Sequence, residues 1–221
     1  MTPTTTLPST ALHGWRTPEV GALFIVTGPS GTGKTTLVRR ALRDIPEIGW
    51  SVSATTRAPR DGEVDGFDYH FVDMPSFQAM IAEGKLLEWA QVYGNYYGTP
   101  REPCEQALRA GRSILLEIDL AGADQVIHTL PGAVRIFVLP PDLSSLEARL
   151  RARSTDSEAV IQRRLREAET QLQGCGRFDY LVVNENLDTA HRTFQAILLA
   201  ELQRTQRHPG LVQRFSGSHI G

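Results

Sequence analysis

Cysteine is scarce: Cys104 and Cys175 are the only two in 221 residues. Two thiols so far apart cannot build a disulfide framework, and no Cys/His spacing suggests zinc, so they read as incidental thiols of a reducing compartment. Long apolar runs are absent too. No stretch approaches the roughly 18 residues a membrane span needs. Residues 1–20 lack the apolar centre of a secretion signal, and with Arg16 as their one basic residue they offer little to suggest a transit peptide. There is no basic surplus: the formal net charge of −2 creates no field for a nucleic-acid polymer. The six histidines (13, 70, 128, 191, 208, 219) show no ligand spacing, and no Ser/His/Asp or Cys/His pairing stands out. These absences leave a cytoplasmic globular chain, long enough for one domain with lobes or two small domains.

What is present is an alternation of strand-like and helix-like segments. Residues 22–27, 113–119, 134–139 and 179–184 are short, apolar and rich in β-formers, as buried parallel strands are. Helical patterns separate them at 35–44, 101–110, 121–129, 143–152, 158–173 and 187–204. That order predicts a three-layer α/β core around a parallel sheet. Residues 50–99 break it, with two short helical possibilities at most, several glycine turns, and the aromatics Phe67, Tyr69, Phe71, Trp89, Tyr93, Tyr96 and Tyr97. They read as a sheet-rich lobe inserted into the core. Residues 1–20, rich in Thr and Pro, read as a disordered extension. Residues 206–221 read as a flexible tail, with Pro209, Gly210, Gly217 and Gly221 as breakers.

The segment Gly28-Pro29-Ser30-Gly31-Thr32-Gly33-Lys34-Thr35 matches G-x-x-x-x-G-K-[ST] between a buried strand and a helix, the setting this motif requires. Glycines let successive N–H groups turn toward one anion, and the helix N-terminus adds positive potential. Lys34 is placed to reach the β- and γ-phosphates of a nucleoside triphosphate, and the Thr35 hydroxyl to ligate Mg²⁺. Asp119 ends a buried strand, where a second acid near such a metal is usually presented. Arg149, Arg151, Arg153, Arg163, Arg164 and Arg166 flank Ser154-Thr155-Asp156-Ser157, a helix break with a natural N-cap. Arg151, Arg163 and Arg166 read as a solvated face; the hinged segment as a whole is a candidate lid over the triphosphate. With no general base in sight, a phosphate acceptor fits better than a hydroxyl, because a phosphate oxygen is already an anionic nucleophile.

Taken together, GPSGTGKTTL (28–37), SATTRAPRDGEVDGFDYHFV (53–72), LLEWAQVYGNYYGTP (86–100), LEIDLAG (116–122), LEARLRARSTDSEAVIQRRL (146–165) and VVNENLD (182–188) resemble the guanylate kinase family across residues 21–205. The resemblance implies a P-loop kinase core (21–52 and 100–205), an inserted GMP-binding lobe (53–99) and a helical lid (149–162). It also implies transfer of the γ-phosphate of ATP to GMP, and to dGMP, by a monomer or homodimer. On that resemblance Gly28 to Thr36, with Asn184 near the adenine, would hold ATP. Arg57, Arg60, Tyr69 and Tyr97 would hold the GMP phosphate. Ser53, Glu88 and Thr99 would read the base, with Asp119 close to it and Glu63 and Glu117 as supports. Arg149, Arg153 and Arg164 would meet the triphosphate. The Glu88 role also makes chemical sense by itself, because guanine presents two adjacent donors to one carboxylate and adenine does not. The chain departs from the family pattern at Ala54, at Leu120-Ala121 and at Ser154. Two other readings are a kinase of this build acting on a ribose bisphosphate, and a protein-binding module of the same fold. The first would forgo the base-reading residues and the second an intact Lys34 and Thr35.

Overall fold

The five residues of β1 (Leu23–Thr27) are all buried, because strands lie on both sides of it and apolar side chains pack on both of its faces. In the computed structural model, which describes residues 16–92, 94–153 and 157–216, the main sheet runs β2 (Ile48–Trp50), β7 (Ser113–Glu117), β1, β8 (Val134–Leu139), β9 (Tyr180–Val183). Every pairing in it is parallel. Side chains alternate across β1. Phe24 and Val26 pack with Leu37, Val38 and Ala41 of α1 (Lys34–Asp44) and with Phe194 and Leu198 of α7 (Leu187–Leu202). Leu23 and Ile25 face the other way, onto Cys104 and Ala107 of α3 (Arg101–Arg109) and Ala123 and Val126 of α4 (Leu120–Thr129). This is the expected three-layer core. From β1 the chain goes out to one side of the sheet and later to the other, so a crevice opens at the carboxyl end of β1. β2 has no counterpart among the expected strands: three residues long and paired only with β7, it carries too little pattern to read.

The inserted segment forms a second sheet in the order β4 (His70–Phe71), β3 (Ala54–Thr55), β6 (Asn95–Pro100), β5 (Leu86–Val92). Ala54, Phe77 and Leu86 form its own small core with Tyr96 and Met80. One helix appears here, within the two at most expected: α2 (Met74–Ala82), started by Asp73, whose carboxylate accepts from the Ser76 N–H at 2.8 Å. A register shift between Leu86 and Glu88 turns Leu87 into the main core while Leu86 stays in the lobe's own. β5 is therefore the joint between the two sheets.

The helices α5 (Leu143–Arg153) and α6 (Glu158–Gln173) share a third cluster of Leu146, Leu150, Leu165 and Ala168. The break between them at Ser154, Thr155 and Asp156, the side chain of Arg153, Tyr93, residues 1–15 and residues 217–221 lie outside the described residues.

The expected flexible tail is corrected: residues 205–207 form a 3-10 turn and Pro209–Ser216 a helix, α8. Pro209 opens this helix rather than breaking one. Arg207 is buried and donates to Gly21 O at 2.8 Å, while the Glu19 carboxylate accepts from Gly210 N at 2.6 Å and Leu211 N at 3.1 Å. The N–H groups of Glu19 and Val20 return bonds to Arg207 O. Residues 16–20, part of the expected disordered extension, are likewise held against the C-terminal segment.

Candidate active site

At the end of β1 the loop doubles back on itself. Gly28, Gly31 and Gly33 all have positive φ, at 140°, 88° and 88°. Two of them also have no room for a side chain: a β-carbon on Gly28 would stand 2.3 Å from Val138 O, and one on Gly33 2.4 Å from Asn184 Nδ2. Thr32 is fully buried and its hydroxyl donates to Pro29 O at 2.9 Å. Asn184 locks the loop from behind by donating to Thr32 O at 2.7 Å. The Lys34 ammonium folds onto the loop, donating to Gly28 O at 2.5 Å and Pro29 O at 2.9 Å, so its charge lies over the turn. Thr35 and Thr36 open α1 beside it.

The Thr35 hydroxyl donates to Glu117 Oε1 at 2.7 Å. Glu117, expected as a support on the GMP side, thus meets the cradle. It ends β7, which pairs with β1 in the register Val26↔Glu117, so its carboxylate emerges beside the loop. Asp119 caps α4, accepting from Gly122 N at 2.7 Å. That bond gives Asp119 an ordinary structural task for one of its oxygens.

In the lobe, Arg57 Nη2 donates to Glu63 Oε1 at 2.8 Å, and the other carboxylate oxygen of Glu63 accepts from Arg60 N at 2.7 Å. One carboxylate therefore holds both arginines in place. The Arg57 guanidinium lies over the rings of Tyr69 and Phe71, at 5.4 and 5.8 Å from their centroids. Tyr69 meets Tyr97 edge-on at 6.0 Å. The Glu63 bond holds the Arg57 proton more tightly than usual, with Tyr97 adding to the effect, and burial raises the Tyr69 phenol. Arg57, Arg60, Glu63, Tyr69 and Tyr97 are thus gathered at one place. Ser53 accepts His70 N through its carbonyl at 2.9 Å, which fixes the strand that leads into this group.

Glu88 is buried, 6% exposed, and Thr99 Oγ1 donates to its Oε1 at 2.6 Å. Among the described residues no cation pairs with it. Burial pushes its carboxyl up to about 7; the Thr99 bond opposes this and the Asp119 charge adds to it. Its Oε2 lies 2.6 Å from where a β-carbon on Gly122 would stand, so the carboxylate rests on bare helix backbone.

From α5, Arg149 Nη2 donates to Asn184 O at 2.8 Å, linking this helix to the residue that locks the loop. Leu146 and Leu150 pack to within 3.1 Å of the β-carbon position of Gly31. Asn184, expected near adenine, spends its side-chain amide on Thr32 O. Arg164 lies half-buried on α6. Two participants went unread in the sequence, Gly122 and the Thr35–Glu117 pair. A helix glycine next to Asp119 was the available signal for the first; the second depends on β7 lying beside β1.

A family model described as "Guanylate kinase" matches residues 21–201. Similar curated proteins include the guanylate kinase of Synechocystis sp., 52% identical over 178 residues, which are 80% of this chain and 93% of that protein. The guanylate kinase of Zymomonas mobilis is 46% identical over 193 residues, 87% of this chain and 89% of its own length. Among solved structures, a crystal structure of guanylate kinase from Anaplasma phagocytophilum superimposes with a TM-score of 0.71. It is 34% identical, and the match covers 90% of this chain and 96% of that one.

Proposed function

This chain belongs to the guanylate kinase family and has guanylate kinase activity, and on that footing we propose how its residues divide the work of moving the γ-phosphate of ATP to GMP. The cradle from Gly28 to Thr36 takes the triphosphate on its backbone N–H groups, and Lys34 swings from Gly28 O and Pro29 O to the β- and γ-oxygens. Arg57 and Arg60, held by Glu63, take the GMP phosphate with Tyr69 and Tyr97. Glu88 and Thr99, with Ser53, take the base. The acceptor is an anionic phosphate oxygen, so no strong base has to remove a proton. Catalysis consists of alignment and charge neutralisation by Lys34 and by Arg149, Arg153 and Arg164 from the lid. Asp119, next to the Glu88 seat, lies at the boundary between the two substrates. The reading extends to dGMP, which carries the same base and phosphate as GMP. The reading carries with it a cytoplasmic setting for the enzyme.

The Thr35 hydroxyl, 2.7 Å from the Glu117 carboxylate, suits a divalent cation. The other ligands of such an ion would be phosphate oxygens and water. Mg²⁺ held there would supply positive charge against the triphosphate.

The observation that carries the acceptor reading is Glu88, a buried carboxylate without a cation, bonded to Thr99. Guanine N1–H and N2–H satisfy it; adenine leaves it unpaired, a loss of about 1–3 kcal/mol or more. A ribose bisphosphate has no use for it, and a protein-binding module has no use for the locked cradle. A coupled ADP-release assay with GMP, AMP, CMP and UMP tests this. GMP is expected to be turned over far faster than the rest; equal turnover of AMP and GMP overturns it.

A further inference from the structure

The joint between the lobe and the core holds a side chain that the reaction scheme does not use. β5 is an edge strand, bonded to β6 on one side alone, and its other edge at Trp89 would expose an N–H and a C=O. Gln125 covers both. Its Oε1 accepts from Trp89 N at 3.1 Å, and its Nε2 donates to Trp89 O at 2.9 Å. One amide side chain thus behaves as a one-residue strand added to the sheet. The same Nε2 lies 3.5 Å from Ala121 O, one turn back on α4, which steers the amide toward β5.

Gln125 lies three residues after Gly122, so both are on the same face of α4. Gly122 meets Glu88 and Gln125 meets Trp89, the next residue of β5. β5 is therefore laid across α4 with two consecutive residues registered against two consecutive turns. Leu87 completes the seat by entering the main core. Among the described residues Glu88 has no cation to anchor it. Its position rests on Thr99, on the bare backbone at Gly122, and on whatever holds β5 at this height against α4.

We infer that Gln125 is a positioning residue for guanine recognition: by pairing with the backbone of Trp89 it sets the register of β5 on α4, and so the place of the Glu88 carboxylate relative to Asp119. The inference rests on the reading of Glu88 as the group that takes the base. Gln125 touches neither substrate; it acts through the strand.

Gln125→Ala removes both bonds and leaves every proposed substrate contact in place. KM for GMP should rise roughly tenfold, and the preference for GMP over AMP should fall by a similar factor. KM for ATP should stay as it is, and the Trp89 amide alone in β5 should lose hydrogen-exchange protection. Gln125→Met, of similar length without the amide, repeats the test with the packing kept and supplies the same readings if the Ala variant does not fold. A wild-type KM for GMP and wild-type preference in the folded variant overturns the inference. So does an equal rise in KM for both nucleotides with a fall in Tm, the pattern of a general structural role. Glu88→Ala is the control: if it leaves the preference for GMP intact, the reading of Glu88 fails; if it abolishes the preference while Gln125→Met changes nothing, only the role of Gln125 fails.

Discussion

In the proposed cradle the groups that would bind are backbone, and the side chains around it serve to hold that backbone still; in the proposed guanine seat the groups that would bind are side chains, and the backbone is arranged around them. The loop from Gly28 to Thr35 is pinned by Thr32 on Pro29 O, by Asn184 on Thr32 O and by the absence of β-carbons at Gly28 and Gly33. The seat instead depends on Glu88 and Thr99 meeting across β5 and β6, with Gly122 and Asp119 coming from α4. A triphosphate looks much the same whatever base it carries, so a fixed backbone suffices. A base is told apart by its donors, which takes a charged side chain kept dry. The first construction tolerates little change but carries little specificity; the second carries the specificity and depends on how two sheets are joined.

The largest effect should come from the cradle. Lys34→Ala removes the one cation that is built into the loop and bonded to its carbonyls. We expect kcat to fall by at least about a hundredfold with the fold retained, as seen by unchanged circular dichroism. Near-wild-type turnover would mean that the loop's backbone alone carries the triphosphate.

Gly122→Ala tests the other side of the comparison. The new methyl would stand 2.6 Å from Glu88 Oε2 and 3.3 Å from Asp119 Oδ1. Glu88 is the group that must move, since the helix backbone cannot. Alanine favours a helix by up to about 1 kcal/mol over glycine, so Tm should hold or rise. We expect kcat/KM for GMP to fall by some tens of fold, with KM for ATP unaffected. A drop confined to Tm, with GMP use intact, would show that the seat accommodates a side chain and that α4 does not set its floor.

How much of this the sequence disclosed follows the same division. The cradle is local: eight consecutive residues, a strand before them and a helix after, all readable without tertiary information. The strands β1, β7, β8 and β9 of the main sheet and six of the helices are readable for the same reason, since each is a run with its own apolar pattern. β2 was not, being three residues long and defined only by its pairing with β7. The C-terminal helix was misread because Pro209 and Gly210 look like breakers, whereas Arg207 and Glu19 make them a helix start. Arg57, Arg60, Glu63 and Tyr69 could be named from the sequence, but not the fact that one carboxylate holds both arginines. That Glu117 meets Thr35 of the cradle could not be read, because strand order, with β7 beside β1, is not written in either strand. Nor does any local pattern reveal that Gln125 pairs with Trp89, 36 residues away.

The smallest effect, and the one that distinguishes the two regions without a mutation in either, is that of pH. Glu88 has its carboxyl raised to about 7 by burial, with Thr99 and Asp119 as its polar neighbours. On the proposed reading GMP needs the ionised form, because the carboxylate has to accept two N–H groups. kcat/KM for GMP should therefore rise with pH through about 7 and be about tenfold lower at pH 6 than at pH 8. KM for ATP should not follow it. Stability carries the opposite sign. The folded protein holds a proton on Glu88 between the unfolded value of 4.5 and about 7, so the stability contributed by this group is fully present below 4.5. It is lost as pH rises through about 7, a change of up to about 3 kcal/mol. Glu88→Gln should flatten both profiles, leaving GMP use low at every pH and the ligand-free protein relatively more stable above pH 7. Wild-type kcat/KM for GMP that stays level from pH 8 to pH 6 would mean Glu88 is already ionised in the free enzyme, and the seat wetter than its burial indicates.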